Sequence, residues 1–112
     1  MNQLFDLWID GKLKDAQEDI TTRKQYFGWD HINVPQTREE AIQVYQEPEV
    51  VAYVLSEVED RIHTFRHSTI GGIAWFESLL SDPAQASFAR KQIKAYEKMI
   101  KELEKIRDYI ID

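Results

Sequence analysis

"VAYVLSEVEDRIHTFRHSTIGGIAWFESLL", residues 51–80, decides the fold. Val51, Val54, Leu55, Val58, Ile62, Phe65, Ile73, Phe76 and Leu80 recur at the 3.6-residue spacing of one helix face, with Thr69 and Gly72 in register. The phase runs through the pair Gly71 and Gly72 without a slip. One helix, kinked at the glycines, is therefore expected. Two glycines cost about 2 kcal/mol of helix propensity against alanine, so a break there competes closely. Gly72 falls on the apolar stripe, where a small residue lets a crossing helix come close.

Toward the C-terminus, "SDPAQ" at 81–85 punctuates the chain. Asp82 reads as an N-cap, Pro83 as the first helical residue, and Gln85 as the partner in a capping box. The helix that follows carries a seven-residue repeat. Ala86, Ile93 and Ile100 take one position; Ala89, Tyr96, Leu103 and Ile110 take another; Met99 and Ile106 widen the stripe. Its expected length of about 28 residues spans about 42 Å. An antiparallel pair with the 51–80 segment, or a coiled-coil-like dimer seam, is the way to cover it.

Toward the N-terminus the segments are shorter. Leu4, Phe5, Leu7, Trp8 and Ile9 end at Gly11; Leu13, Ala16, Ile20 and Phe27 form a second stripe that Gly28 is placed to stop. "GWDHINVPQ", residues 28–36, reads as the one substantial loop. Thr37 and Glu40 in "TREE" form a capping box before Ala41, Ile42, Val44 and Tyr45, and Pro48 suits the first turn of the next helix. The expected fold is all-α: a bundle of four or five helices in a single domain over 1–112, dominated by two long antiparallel helices.

A chain of 112 residues is one domain by size and buries about two-thirds of its unfolded surface. It has no cysteine, which excludes disulfides and Cys-based zinc sites. "MNQLFDLWIDGKLKD" mixes acids with apolar residues and lacks a basic leader, so no signal peptide is expected. No apolar run approaches a membrane span, and the expected location is the cytoplasm. Net charge is −6, with thirteen acids and five bases in residues 1–60 against seven acids and nine bases in 61–112. An acidic whole argues against a general nucleic-acid binder.

Four surfaces carry chemistry worth weighing. Glu59, His63 and His67 lie at i, i+4 and i+8 on one ridge. The histidines sit about 120° and about 160° from the apolar stripe. Two imidazoles at that spacing can share a metal, but "HTFRH" lacks the metalloprotease glutamate, and His31 is the only other histidine. A solvated helix face with no metal and no cofactor is expected. Lys91, Lys94, Lys98, Lys101 and Lys105, spaced 3, 4, 3 and 4, make a ridge opposite the C-terminal stripe. Such a ridge suits phosphates, but no aromatic residue is interleaved to stack bases, and Glu97 and Glu102 are placed to pair with Lys101 and Lys98.

The third surface is "YFGWDHINVP", where Tyr26, Phe27, Trp29 and His31 crowd around one glycine. Loops on rigid scaffolds carry recognition, and aromatic residues anchor interfaces. The competing reading is that Phe27 and Trp29 plug the end of the bundle. The fourth is the acidic half itself: Asp6, Asp10, Asp15, Glu18, Asp19, Glu39, Glu40, Glu47 and Glu49, able to imitate nucleic-acid phosphates against a basic groove.

No nucleophile–base arrangement, phosphate loop or metal motif emerges. The expected function is non-catalytic: a protein-interaction module, whether regulator, adaptor or inhibitor subunit, that binds another protein and forms a homodimer through the C-terminal helix near Ile106. The alternative is a small nucleic-acid- or metal-binding protein using the Lys ridge or the His63/His67 pair.

Overall fold

The structure, a computed structural model, describes residues 3–111. Among them are six helices and no strand: α1 Leu4–Ile9, α2 Leu13–Phe27, α3 Arg38–Val44, α4 Pro48–His67, α5 Ile73–Ser78 and α6 Ala86–Ile111. The architecture is all-α, and its two long helices, α4 and α6, pack together, with the Phe65 and Tyr96 rings 5.3 Å apart. No helix among the described residues is long and apolar enough to cross a membrane. The chain divides into two compact units, Met1–Val54 and Leu55–Asp112, and α4 contributes residues to each.

The 51–80 segment does not form one kinked helix. α4 ends at His67 and α5 starts at Ile73. Gly71 adopts φ +94°, a conformation a helix cannot contain. The Ser68 hydroxyl accepts from the Ile70 N–H at 3.1 Å, closing a turn that competes with the helical ladder. Gly72 then folds back on the last turn of α4: a Cβ there would lie 2.9 Å from the carbonyl oxygens of Thr64 and Ser68. The close approach read from the sequence is real, but the neighbour is the end of α4 itself. The apolar phase persists because Val58, Ile62 and Phe76 are all buried within the same unit.

In the first unit α1, α2 and α3 contact one another, and Leu4, Phe5, Ala16, Ile20, Ala41, Val44 and Tyr45 are buried. Gly28 ends α2 in the left-handed conformation, as its position predicts, and donates to the Lys24 carbonyl at 2.9 Å. Thr37 Oγ1 accepts from the Glu40 N–H at 3.2 Å. The Glu40 carboxylate accepts from the Thr37 hydroxyl at 3.3 Å, so only the first arm of the capping box is the expected one. Pro48 opens α4. The Tyr45 hydroxyl donates to Asp19 Oδ2 at 2.7 Å, and Arg23 Nε lies 3.4 Å from Asp19 Oδ1. Burial pushes the Tyr45 phenol well above its ordinary pKa; the Asp19 charge and hydrogen bond add to this, and Arg23 opposes it.

In the second unit α5 packs on α6, and Phe76 is the central ring. It lies 5.8 Å from Tyr96 and 5.9 Å from Phe88. α6 begins at Ala86, later than the expected Pro83. The Asp82 carboxylate still caps, accepting from the Ala84 N–H at 3.0 Å, but does so inside a turn. Ile100, Leu103 and Ile106 are buried within this unit. Most of the wide stripe is thus covered by the chain itself. Ile106, expected at a dimer seam, is only 8% exposed.

Candidate functional site

The loop after α2 is tied to its scaffold. Ile32 and Pro35 are buried. Gln17 Nε2 donates to the Pro35 carbonyl at 2.9 Å, and Lys24 Nζ donates to the Ile32 carbonyl. A loop held this way presents its remaining side chains in fixed positions, which lowers the entropy lost on binding.

What it presents is an aromatic face. Phe27 stacks on Trp29 at 5.2 Å between ring centres, and Tyr26 meets Phe27 edge-on at 4.9 Å. Tyr53 of α4 closes the group, edge-on to Phe27 at 5.1 Å and to Trp29 at 6.2 Å. The Arg23 guanidinium sits 4.1 Å over the Tyr53 ring, tying the face through Asp19 to the buried Tyr45 hydroxyl. Yet the rings themselves are open: Tyr26 is 80% exposed and Phe27 42%, and Trp29 and Tyr53 are half-buried. No ring of this group belongs to the core.

His31 leaves the group the sequence placed it in. Its Nε2 lies 2.9 Å from Glu49 Oε1, and its side chain borders a groove of about 330 Å³. Ile32, Pro35 and Val44 line the groove with apolar surface; Glu39, Glu40 and Glu47 stand around it. Other acids of this half are already neutralised: Asp6 pairs with Arg38 at 3.1 Å, and Asp19 with Arg23.

The Lys ridge is where the repeat puts it. Lys91, Lys94, Lys98, Lys101 and Lys105 all lie on α6 and are all exposed. The expected pairs Glu97–Lys101 and Glu102–Lys98 do not form among the described residues; Glu104 instead meets Arg66 at 3.2 Å and Arg107 at 3.7 Å. Arginine's planar fork holds a carboxylate better than a mobile lysine ammonium. His63 and His67 are exposed with ring centres 4.8 Å apart. Among the described residues, no group of three or more His, Cys, Asp or Glu is placed to hold a metal ion. A cleft of about 490 Å³ in the second unit, lined by Arg66, His67, Glu77, Glu97, Lys101 and Glu104, mixes both signs of charge.

Compared with known proteins, the chain matches no family model, no curated protein and no solved structure.

Sequence reading missed Tyr53 and Arg23. Tyr53 lies next to the stripe residue Val54 and gave no separate signal. Arg23 sits three residues before Tyr26, one helical turn away, and that spacing was the available clue.

Proposed function

We propose that this chain is a non-catalytic protein-interaction module working in the cytoplasm, a regulator, adaptor or inhibitor subunit whose partner docks on Tyr26, Phe27 and Trp29. One observation carries the reading: an aromatic face exposed to solvent yet supported from beneath by Tyr53, Arg23 and Asp19. Large rings with few rotatable bonds, held before binding, are what interface anchors share. Exposed aromatic surface without such support serves solubility poorly and binding no better.

The test is the pair Tyr26→Ser and Phe27→Ser in the full chain. Retained proteins are quantified by mass spectrometry against the unsubstituted chain, and thermal unfolding is recorded beside them. The reading expects the double variant to stay folded, with a cooperative transition lowered by several degrees, and a discrete set of retained proteins to vanish. An unchanged set would end it.

Self-association is a second reading with its own observation. Met99, Tyr109 and Ile111 remain exposed on the C-terminal half of α6. A homodimer through these residues, without Ile106, covers them; light scattering of the full chain and of Tyr109→Ser with Ile111→Ser tests it. A monomer at tens of micromolar removes it.

A further inference from the structure

We propose that the groove beside the aromatic face receives a basic, aliphatic segment of another protein: a short stretch in which Lys or Arg flanks a side chain the size of Leu, Ile or Val. The assignment deepens the interaction-module reading and rests on it.

The floor asks for the aliphatic group. Ile32, Pro35 and Val44 are buried side chains whose outer surface faces a groove of about 330 Å³. That is near the lower end of pockets that hold small ligands or side chains. The rim asks for the positive charge. Glu39, Glu40 and Glu47 are exposed, and among the described residues none has a cationic group within ion-pair distance. Three of the unit's five Lys and Arg residues are engaged elsewhere: Arg23 with Asp19, Arg38 with Asp6, Lys24 with the Ile32 carbonyl; Lys12 and Lys14 do not line the groove. His31, the one lining residue able to carry positive charge, already faces Glu49. Residues 1–54 hold ten acids and five Lys or Arg, so the field at the groove is negative and uncompensated.

The plain explanation of the acids is helix polarity. Glu39 and Glu40 lie in the first turn of α3, and Glu47 precedes α4. Polarity accounts for acids at helix starts. It does not account for three of them converging on one apolar floor.

A second copy of the chain fits less well. Its Lys ridge supplies charge, but the ridge runs opposite the apolar stripe of α6, so it brings no aliphatic group between the lysines. A foreign segment can bring both.

The experiment is fluorescence anisotropy on the full chain with three sets of labelled peptides. One set places Leu or Val between Lys or Arg residues, one has the same charges without the aliphatic residue, and one is acidic. The basic–aliphatic set is expected to bind about tenfold more tightly than either control and to weaken as salt rises. Glu39→Gln, Glu40→Gln and Glu47→Gln together are expected to lose about tenfold in affinity with the fold intact by circular dichroism. Glu39→Gln with Glu47→Gln alone leaves the Glu40–Thr37 contact in place and is expected to show part of the same loss. The proposal is overturned by equal affinity for peptides lacking the aliphatic residue, by equal affinity in the triple variant, or by no binding at all. It is also overturned if the full chain self-associates and the triple variant abolishes that, since the occupant is then a second copy. The two readings separate cleanly. Partner capture that depends on Tyr26 and Phe27, with no peptide bound, defeats the groove and leaves the module. Peptides bound at the groove, with capture indifferent to Tyr26 and Phe27, keep the groove and defeat the aromatic face.

Discussion

Each unit of the chain has its own aromatic cluster, and the two are built in opposite ways. In the second unit the cluster is centred on Phe76, 6% exposed, with Tyr96, Trp75 and Phe88 around it. Its rings fill the space between helices, and the outer ones are exposed because the core ends there. In the first unit Phe27 is central and 42% exposed; its neighbours Tyr26, Trp29 and Tyr53 enclose no buried ring. Its support is polar: Arg23, Asp19 and the Tyr45 hydroxyl. A cluster that closes a core needs no such backing. The contrast separates aromatic residues that hold the fold from those that the fold holds out.

The sharpest way to break this contrast is truncation at each centre. Phe76→Ala is expected to lose about 3–5 kcal/mol, the usual range for a buried ring. Phe27→Ala, already half in water, is expected to lose about 1–2 kcal/mol, scaled to the area it buries. Urea unfolding measures both, and equal losses would make the first cluster a plug as well.

Next in size is the polar support. Asp19→Ala leaves the buried Tyr45 hydroxyl without its acceptor and removes the carboxylate beside Arg23, and is expected to cost about 2 kcal/mol. The pH dependence is linked to the same contact. Folded Tyr45 holds its proton above the ordinary tyrosine pKa. Below about pH 10 both states are protonated and its contribution is whole. As pH rises beyond that, the unfolded chain releases the proton and the folded chain keeps it, so stability falls by about 1.4 kcal/mol per pH unit. Tyr45→Phe is expected to make that alkaline limb shallower, read as urea midpoints between about pH 9 and about pH 11.

Much of this was legible in the residues, and the misses have physical causes. The 3.6-residue phase gave α2, α4 and α6 and their buried faces, because burial of Ile20, Val54, Val58, Ile62 and Ile100 follows one stripe per helix. Phase did not reveal the break at 68–72. Two helices burying the same side in one unit keep a common phase, and only Gly71 and the Ser68 hydroxyl betray the turn. The aromatic loop was visible as composition. Its partition was not: His31 goes to Glu49, and Tyr53 joins from α4, 24 residues beyond Trp29. Contacts across that separation are set by the packing of α2 on its neighbours, which spacing alone does not encode. The wide stripe of α6 suggested an open seam at Ile106, but that residue is buried within its own unit, so the chain covers more of the stripe than one partner helix was expected to cover.

The smallest expected effect is on the solvated ridge. Lys94→Glu with Lys98→Glu is expected to change stability by less than about 0.5 kcal/mol, since both side chains are exposed and neither is in an ion pair among the described residues. A cooperative transition shifted by several degrees would place that ridge against something.

The most direct measurement compares the two clusters under identical chemistry. A photo-activated benzophenone side chain replaces Tyr26 in one full-length chain and Phe88, 53% exposed, in another. Both are irradiated in the source cells. The account expects a discrete cross-linked partner at position 26, lost when Phe27 is also changed to serine, and none at position 88. Adducts at position 88 with none at position 26 would contradict it.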